Sequence, residues 1–406
     1  MTMSVQCACP EAGGSSALMH KAGINQVADS IGPIEIADLQ VFVFRAPIAV
    51  PVRTSFGVMT DRPMLAVRLE DREGAVGWGE IWCNFPSCGA EHRARLVSTT
   101  IKQLLVGAQF PRPQEAFKAL TMQTRVQALQ SGESGPFAQC IAGIDIALWD
   151  LVSRRANMPL WRFLGGTQER IGIYASGLNP DAPERLAAEK RDEGYGAFKL
   201  KVGFGMDRDT ANLRAMRRVL GDQAIIMVDA NQAWDFETAV ESARWLEPFH
   251  PAWLEEPFPA DTPWETWTRL RTQTSIALAV GENVVGFDGF QRTIGSRAIS
   301  VLQPDVAKWG GFSGGLPVAK AAMEAGLRFC PHYLGGGIGL LASAHFLAAA
   351  GGDGLLEVDA NENVLRTLLL GPLLRPDGGR CTLSDAPGLG RHLDPSNLAD
   401  YLTLRL

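Results

Sequence analysis

The chain of 406 residues has no basic excess: 38 Lys and Arg stand against 44 Asp and Glu, for a formal charge of −6 and a pI near 5.6. That balance argues against nucleic acid or an anionic membrane surface as the main partner. The sequence also lacks any run of about 18 apolar residues, so nothing in it reads as a membrane span. Residues 1–33 are mostly small and polar, without the apolar stretch of a secretory leader, and read as a disordered tail. Cysteine is scarce and unpatterned. The seven thiols are an odd number, Cys7 and Cys9 stand in the tail, and Cys83 and Cys88 are five apart, so neither a zinc site nor a disulfide framework is indicated. Reduced thiols in a cytoplasmic protein are the expectation.

What is present is a globular composition, 46% hydrophobic and 20% charged. The length accommodates one barrel of roughly 250 residues with an added domain. From Ile36 the runs IADLQVFVF, PMLAVRLE and AVGWGEI, with the turn DREG, predict a strand meander. Helical periodicity follows over 90–107, 113–130 and 137–156, so residues 34–165 read as an α+β unit. The run MPLWRFLGG, with Pro159 and Gly165-Gly166, marks a boundary.

Beyond it the rhythm changes. Eight short apolar runs (IGIYAS, FKLKV, IIMVDA, AWLEE, IALAVGE, ISVLQPD, LRFCPH, LLEVD) alternate with amphipathic stretches, the pattern of parallel βα units that closes a barrel over 166–375. From the second run onward each ends in an ionisable group: Lys201, Asp229, Glu255, Glu282, Asp305, His332 and Glu357, spaced 23 to 28 residues apart. In such a barrel the C-terminal strand ends meet at one mouth, so these side chains converge on one small ligand. Residues 376–406 lose the rhythm and are expected to pack back on the first domain.

Taken singly, Asp229 could cap a helix, Glu255 could open a loop and Glu282 could stand at a helix N-terminus. Three carboxylates at successive strand ends repel by about 4 kcal/mol per pair at roughly 4 Å unless a cation joins them. All-oxygen ligation without nearby Cys or His suits Mg²⁺. Lys199 and Lys201 of FKLKVG share a strand face, and Lys199 is expected to help keep Lys201 unprotonated and therefore a base. Asp305 on strand six can orient His332 on strand seven and hold its charged form. Glu357 can meet a substrate oxygen or form a salt bridge with Arg366. The cluster Arg214, Arg217, Arg218 reads as a solvated helix face. The triplet Gly335-Gly336-Gly337 after His332 fits either a phosphate-holding loop or a flexible loop over the site.

These residues resemble the motifs of the enolase superfamily, in its mandelate racemase subgroup, from about Ile36 to the C-terminus. FKLKVG resembles the K-x-K motif; MVDANQ, WLEEP and GEN resemble the metal-ligand motifs; QPDVAKWGG and CPHYLG resemble the segments of the His–Asp dyad; LLEVD resembles the segment carrying the acid on the enolate oxygen. The resemblance implies a modified TIM barrel, (β/α)7β, with an N-terminal capping domain. It implies Asp229, Glu255 and Glu282 as Mg²⁺ ligands, Lys201 and His332 with Asp305 as acid and base, and Asn231 as a substrate contact. Lys308 also falls in a matching motif. Symmetric assembly as a homo-oligomer is implied as well.

The implied reaction removes the α-proton of a small carboxylate substrate through an enediolate. The expected outcome is dehydration of a sugar acid to a 2-keto-3-deoxy acid, with racemisation or epimerisation of a 2-hydroxy acid as the alternative. A metal-binding barrel that senses or scaffolds without catalysis is the reading from another class, and the full catalytic set argues against it. Substrate choice is expected in the capping loops PVRTSFGVMTDR and WCNFPSCGAEHR. There Arg53, Arg62 and His92 would suit hydroxyls or a distal carboxylate, and Phe56, Trp82 and Phe85 an apolar group.

Overall fold

A computed structural model describes residues 32–55, 57–391 and 394–406, so the tail expected over 1–33 lies outside the described residues except for Gly32 and Pro33. The meander is an antiparallel sheet of β1 (Ile34–Arg53), β2 (Val58–Asp71) and β3 (Val76–Ile81). Its second turn is the expected one: the Asp71 carboxylate accepts from the Glu73 and Ala75 amides while Gly74 takes φ 81°, a conformation glycine adopts without strain. The first hairpin is longer than the apolar pattern suggested. Beyond a register shift after Pro47, pairing resumes at Val52↔Met59 and Arg53↔Val58, so PVRTSFGVMTDR is a projecting hairpin.

Helices follow at Gly89–Leu96, continued through a π-helical turn to Leu105, at Pro113–Ser131 and at Ser134–Arg155. Pro113 opens its helix and Gly132 closes it in the left-handed region, as the geometry of helix ends favours. The helix Ser134–Arg155 has the length and apolarity to cross a membrane. Its residues from Cys140 to Ser153 are instead buried, and it packs chiefly on β3 and the helix Pro113–Ser131.

Eight parallel strands then form a nearly closed barrel: Arg170–Leu178, Ala197–Lys201, Ile225–Asp229, Leu254–Glu255, Leu278–Val280, Val301–Leu302, Arg328–Phe329 and Leu355–Asp359. The first strand pairs with the second and the eighth, and neighbours pair in turn to the seventh. Seven helices make the crossovers. Tyr174, Ala197, Met227, Trp253, Ala279, Val301 and Cys330 form a buried cluster of their own. These positions run round strands one to seven and plug the barrel, which leaves the mouth above them for chemistry. The last segment divides. Arg380–Thr382 pairs antiparallel with the first barrel strand, whereas Leu402–Arg405 pairs antiparallel with β1.

Buried polar ties lock the two sheets' surroundings together. Arg62 of β2 reaches Asp359 of strand eight at 2.6 Å, both almost fully buried. Asp145 accepts from the Phe312 and Ser313 amides at the start of the helix Gly311–Glu324, supplying acceptors that a helix N-terminus lacks. His345 accepts from the Trp161 amide through Nδ1 at 2.9 Å, and burial pushes its pKa down from 6.5 to about 3.

Because the folded protein refuses a proton that the unfolded chain takes up below pH 6.5, this histidine contributes stability in full above that pH. The contribution falls by about 1.4 kcal/mol per unit as the pH drops toward 3. Urea unfolding at pH 6.5 and 5 should show wild type losing about 1.6 kcal/mol more than His345→Gln over that interval. Parallel pH slopes in the two proteins would contradict a buried neutral imidazole.

Candidate active site

The two lysines of strand two point into the barrel and are buried, while Phe198 and Leu200, which alternate with them, face the surrounding helices' side of the core. Lys199 Nζ lies 2.6 Å from Glu255 Oε1 and 2.7 Å from Glu357 Oε1. Burial works against its charge, but the two carboxylates outweigh that and hold its pKa well above the ordinary value. Lys201 Nζ donates to the Arg53 carbonyl at 2.8 Å. Burial pushes its pKa down, against the pull of Asp229 and Asp359, and Lys199 adds a smaller push in the same direction. Lys199 thus acts on Lys201 in the expected direction, as a smaller cause than burial. Lys199 is first an ionic bridge between strands four and eight, and desolvation does most to favour a neutral Lys201.

Parallel register puts Lys201 opposite Asp229 and Asp229 opposite Glu255. Asp229 accepts from the Asn231 amide and side chain, each at 2.8 Å. Burial and the neighbouring Glu255 raise its pKa to about 7, Lys199 opposes the rise, and Glu282 adds to it. Glu255 accepts from Lys199, from Gln303 Nε2 at 2.6 Å and from Trp253 Nε1 at 3.1 Å. Glu282 is less buried, accepts from Asn283 Nδ2 at 2.9 Å and pairs with His332.

Among the described residues no three of these side chains meet at ligand distance as they stand, since Glu255 faces Lys199 and Glu282 faces His332. The donor chemistry nonetheless fits a hard divalent cation. The set is all oxygen, its members repel one another, and each carboxylate offers roughly four acceptor positions that these partners do not exhaust.

Asp305 and His332 form a parallel bridge between strands six and seven. Asp305 Oδ2 meets His332 Nδ1 at 2.8 Å, and Asp305 Oδ1 accepts from the Ala307 and Lys308 amides. The bond on Nδ1 leaves Nε2 facing Glu282, with Glu357 Oε2 at 4.0 Å. Burial opposes the imidazolium, but Glu282, Glu357 and Asp305 outweigh it and hold His332 well above its ordinary range. Glu357 accepts from Lys199, Ser176 and the Tyr333 amide. Its alternative partner Arg366 goes instead to the Asn361 carbonyl at 2.9 Å and toward Asp359 at 3.7 Å.

Lys201, Asp229, Glu282, His332 and Glu357 line one cavity of about 420 Å³, closed from the cap by Thr54, Ser55, Trp82, Asn84 and Phe85. Trp82 and Asn231 are thus where the sequence placed them. Phe56 lies outside the described residues. Arg53 contributes its carbonyl, with its side chain exposed; Arg62 is consumed by Asp359; His92 pairs with Glu133 at 2.8 Å away from the cavity. These three side chains are accordingly not part of the lining. The sequence reading gave no role to Lys308, whose ammonium lies 4.5 Å over Trp82 and 3.1 Å from Asn283 Oδ1, nor to Asn283 and Ser176. Position three after Asp305 in QPDVAK was the available signal for Lys308. A second, apolar cavity of about 560 Å³ beside Trp149, Phe163 and Phe312 has no carboxylate or histidine in its lining.

If Lys199 is chiefly a bridge, Lys199→Met should destabilise the protein by about 3 kcal/mol or more, since it strands two buried carboxylates. Thermal unfolding of the metal-free variant checks this. An unchanged or raised midpoint would mean that repulsion from Lys201 dominates.

Two sequence families match the chain: the mandelate racemase / muconate lactonizing enzyme N-terminal domain over residues 37–165, and the enolase C-terminal domain-like family over 183–397. The crystal structure of a mandelate racemase/muconate lactonizing enzyme from Bordetella bronchiseptica is 52% identical, with a TM-score of 0.86 over 91% of this chain and 99% of that one. D-galactarolactone cycloisomerase of Agrobacterium fabrum is 31% identical over 357 residues, 84% of this chain and 91% of the relative. A crystallised L-talarate/galactarate dehydratase variant, liganded with Mg and L-glucarate, is 26% identical with a TM-score of 0.82, covering 99% of this chain and 98% of that one. With both domains matched and the barrel mouth so equipped, the chain belongs to the enolase superfamily, in its mandelate racemase and muconate lactonizing enzyme branch.

Proposed function

We propose that the protein abstracts the α-proton of a small carboxylate substrate and dehydrates a sugar acid to a 2-keto-3-deoxy acid. The observation that carries this reading is one cavity flanked by two different proton-transfer groups. Lys201 on strand two and the His332–Asp305 dyad on strands seven and six stand at the two ends of an arc whose middle is Asp229, Glu255 and Glu282 on strands three to five. Relatives named as dehydratases and cycloisomerases of sugar acids support it.

The chemistry is difficult because removing a proton α to a carboxylate leaves a dianion. Asp229, Glu255 and Glu282 would hold Mg²⁺, which when bound supplies positive charge to the substrate carboxylate as that dianion develops. Lys201 Nζ takes the α-proton. Its bond to the Arg53 carbonyl turns one N–H away and aims the lone pair. Glu357 hydrogen-bonds a substrate oxygen, and Asn231 and Trp82 position the chain of the acid. The β-hydroxyl then leaves as water with a proton from His332 Nε2, which the Asp305 bond to Nδ1 orients. The resulting enol tautomerises to the 2-keto acid. Racemisation or epimerisation is the second reading, favoured by the same pair of groups if His332 returns its proton to the α-carbon from the other face.

Incubation with Mg²⁺ and a library of sugar acids and 2-hydroxy acids in deuterated water separates the two. A 2-keto-3-deoxy product is expected; α-deuteration with inversion and no keto acid would replace dehydration by racemisation. Lys201→Ala and His332→Asn should each lower net turnover by at least about 10³-fold, the upper range of general acid–base contributions, with unchanged far-UV circular dichroism. Full activity in either would falsify the two-group assignment. Exhaustive chelation should abolish turnover and added Mg²⁺ restore it; activity that survives chelation would leave the carboxylate arc without its role.

A further inference from the structure

The glycine triplet after His332 holds no external anion, because a cap carboxylate already fills its cradle. Glu80, the penultimate residue of β3, is almost fully buried. Its Oε1 accepts from the Tyr333 hydroxyl at 2.6 Å and from the Gly336 amide at 2.5 Å, and its Oε2 accepts from the Gly339 amide at 2.9 Å. Burial drives the carboxyl pKa upward and these three donors oppose it. The glycines are required by space: a Cβ on Gly336 would fall on Met64 and Glu80, and one on Gly339 would fall on the Tyr333 hydroxyl. The phosphate alternative for Gly335-Gly336-Gly337 is thereby corrected, and so is the flexible one. Asn363 Nδ2 further pins the Gly335 carbonyl at 2.9 Å.

Tyr333 is the link to chemistry. It follows His332 directly, its hydroxyl is held by the cap, and its amide donates to Glu357 Oε2 at 3.1 Å. One residue on, the Leu334 carbonyl accepts from Asn84 of the cavity wall at 2.6 Å. The cap strand β3, through Glu80, and the loop after it, which supplies Trp82 and Asn84 to the cavity, therefore both hold the barrel segment that follows His332.

We propose that Glu80 is a positioning residue for the His332 side of the reaction: through Tyr333, Gly336 and Gly339 it sets where the imidazole stands relative to substrate. The inference rests on the proton-transfer reading above. Simple adhesion of cap to barrel does not require a bond here, since Arg62–Asp359 and Asp145 with Phe312 and Ser313 tie the two at other points.

The two half-reactions separate positioning from adhesion. Tyr333→Phe, which keeps the carboxylate, and Glu80→Gln should each lower net dehydration or inversion by about tenfold or more, as a misplaced catalytic group does. Exchange of the α-proton with deuterium at the Lys201 face should stay within about twofold of wild type. In the metal-free protein the His332 ring resonances, among six histidines, should shift or broaden in both variants while those of His345 do not. Asp150→Asn, which loosens the cap at the Trp78 and Leu389 amides, should lower stability and leave the ratio of the two rates unchanged.

Equal loss of both rates in Tyr333→Phe, or no loss in either, would overturn the positioning role. If Glu80→Gln does not fold, Tyr333→Phe decides alone. A wild-type protein that exchanges and converts no acid would sink the proposed function itself, and the His332 spectra of the metal-free variants would still decide the positioning.

Discussion

The mouth of the barrel depends on one buried cation between two buried anions. Lys199 joins Glu255 of strand four to Glu357 of strand eight across the barrel interior, at a depth where none of the three could remain charged alone. Around this bridge the remaining charges are ordered. Glu255 takes two further hydrogen bonds from Gln303 and Trp253, which fixes the floor of the cavity. Above that floor Asp229 and Glu282 line the cavity together with Lys201 and His332. The Lys201 amine, of lowered affinity for protons, and the His332 imidazole, of raised affinity, occupy one cavity because their surroundings differ in charge, with burial common to both.

The cap contributes more than a cover. Its first hairpin brings the Arg53 carbonyl to Lys201, and its third strand brings Glu80 to the segment after His332. Lys201 directly, and His332 through its neighbour Tyr333, are thus touched by different parts of the same antiparallel sheet. Residues of the hairpin and of the loop after β3 also line the cavity, namely Thr54, Ser55, Trp82, Asn84 and Phe85, so the cavity wall is continuous with the cap elements that touch Lys201 and Tyr333.

The barrel was legible because its signal is local and repeated. A strand ends in a polar residue about every 25 positions, and parallel topology converts that period into a ring. The dyad was legible for the same reason, since Asp305 and His332 end adjacent strands and register alone makes them neighbours. The cap cations were not. Arg53, Arg62 and His92 carry polar heads compatible with a substrate, but residue type in a loop does not say which way a side chain turns. Arg62 found a buried partner 297 positions away, and His92 found Glu133 on the helix side of the cap.

What the sequence by itself determined is the order of chemistry along the chain: which strand ends carry acids, bases and amides, and that they share one mouth. The alternation of strand side chains and the βα repeat are properties of neighbouring residues, so they survive in the one-dimensional record. Tertiary structure alone decided the pairings. Lys199 could have faced Lys201, solvent or a carboxylate, and the glycine loop could have held phosphate. The outcome followed from low-dielectric burial, in which each charge is held by whichever opposite group or N–H the fold brings within about 3 Å, a distance that no spacing in the sequence encodes.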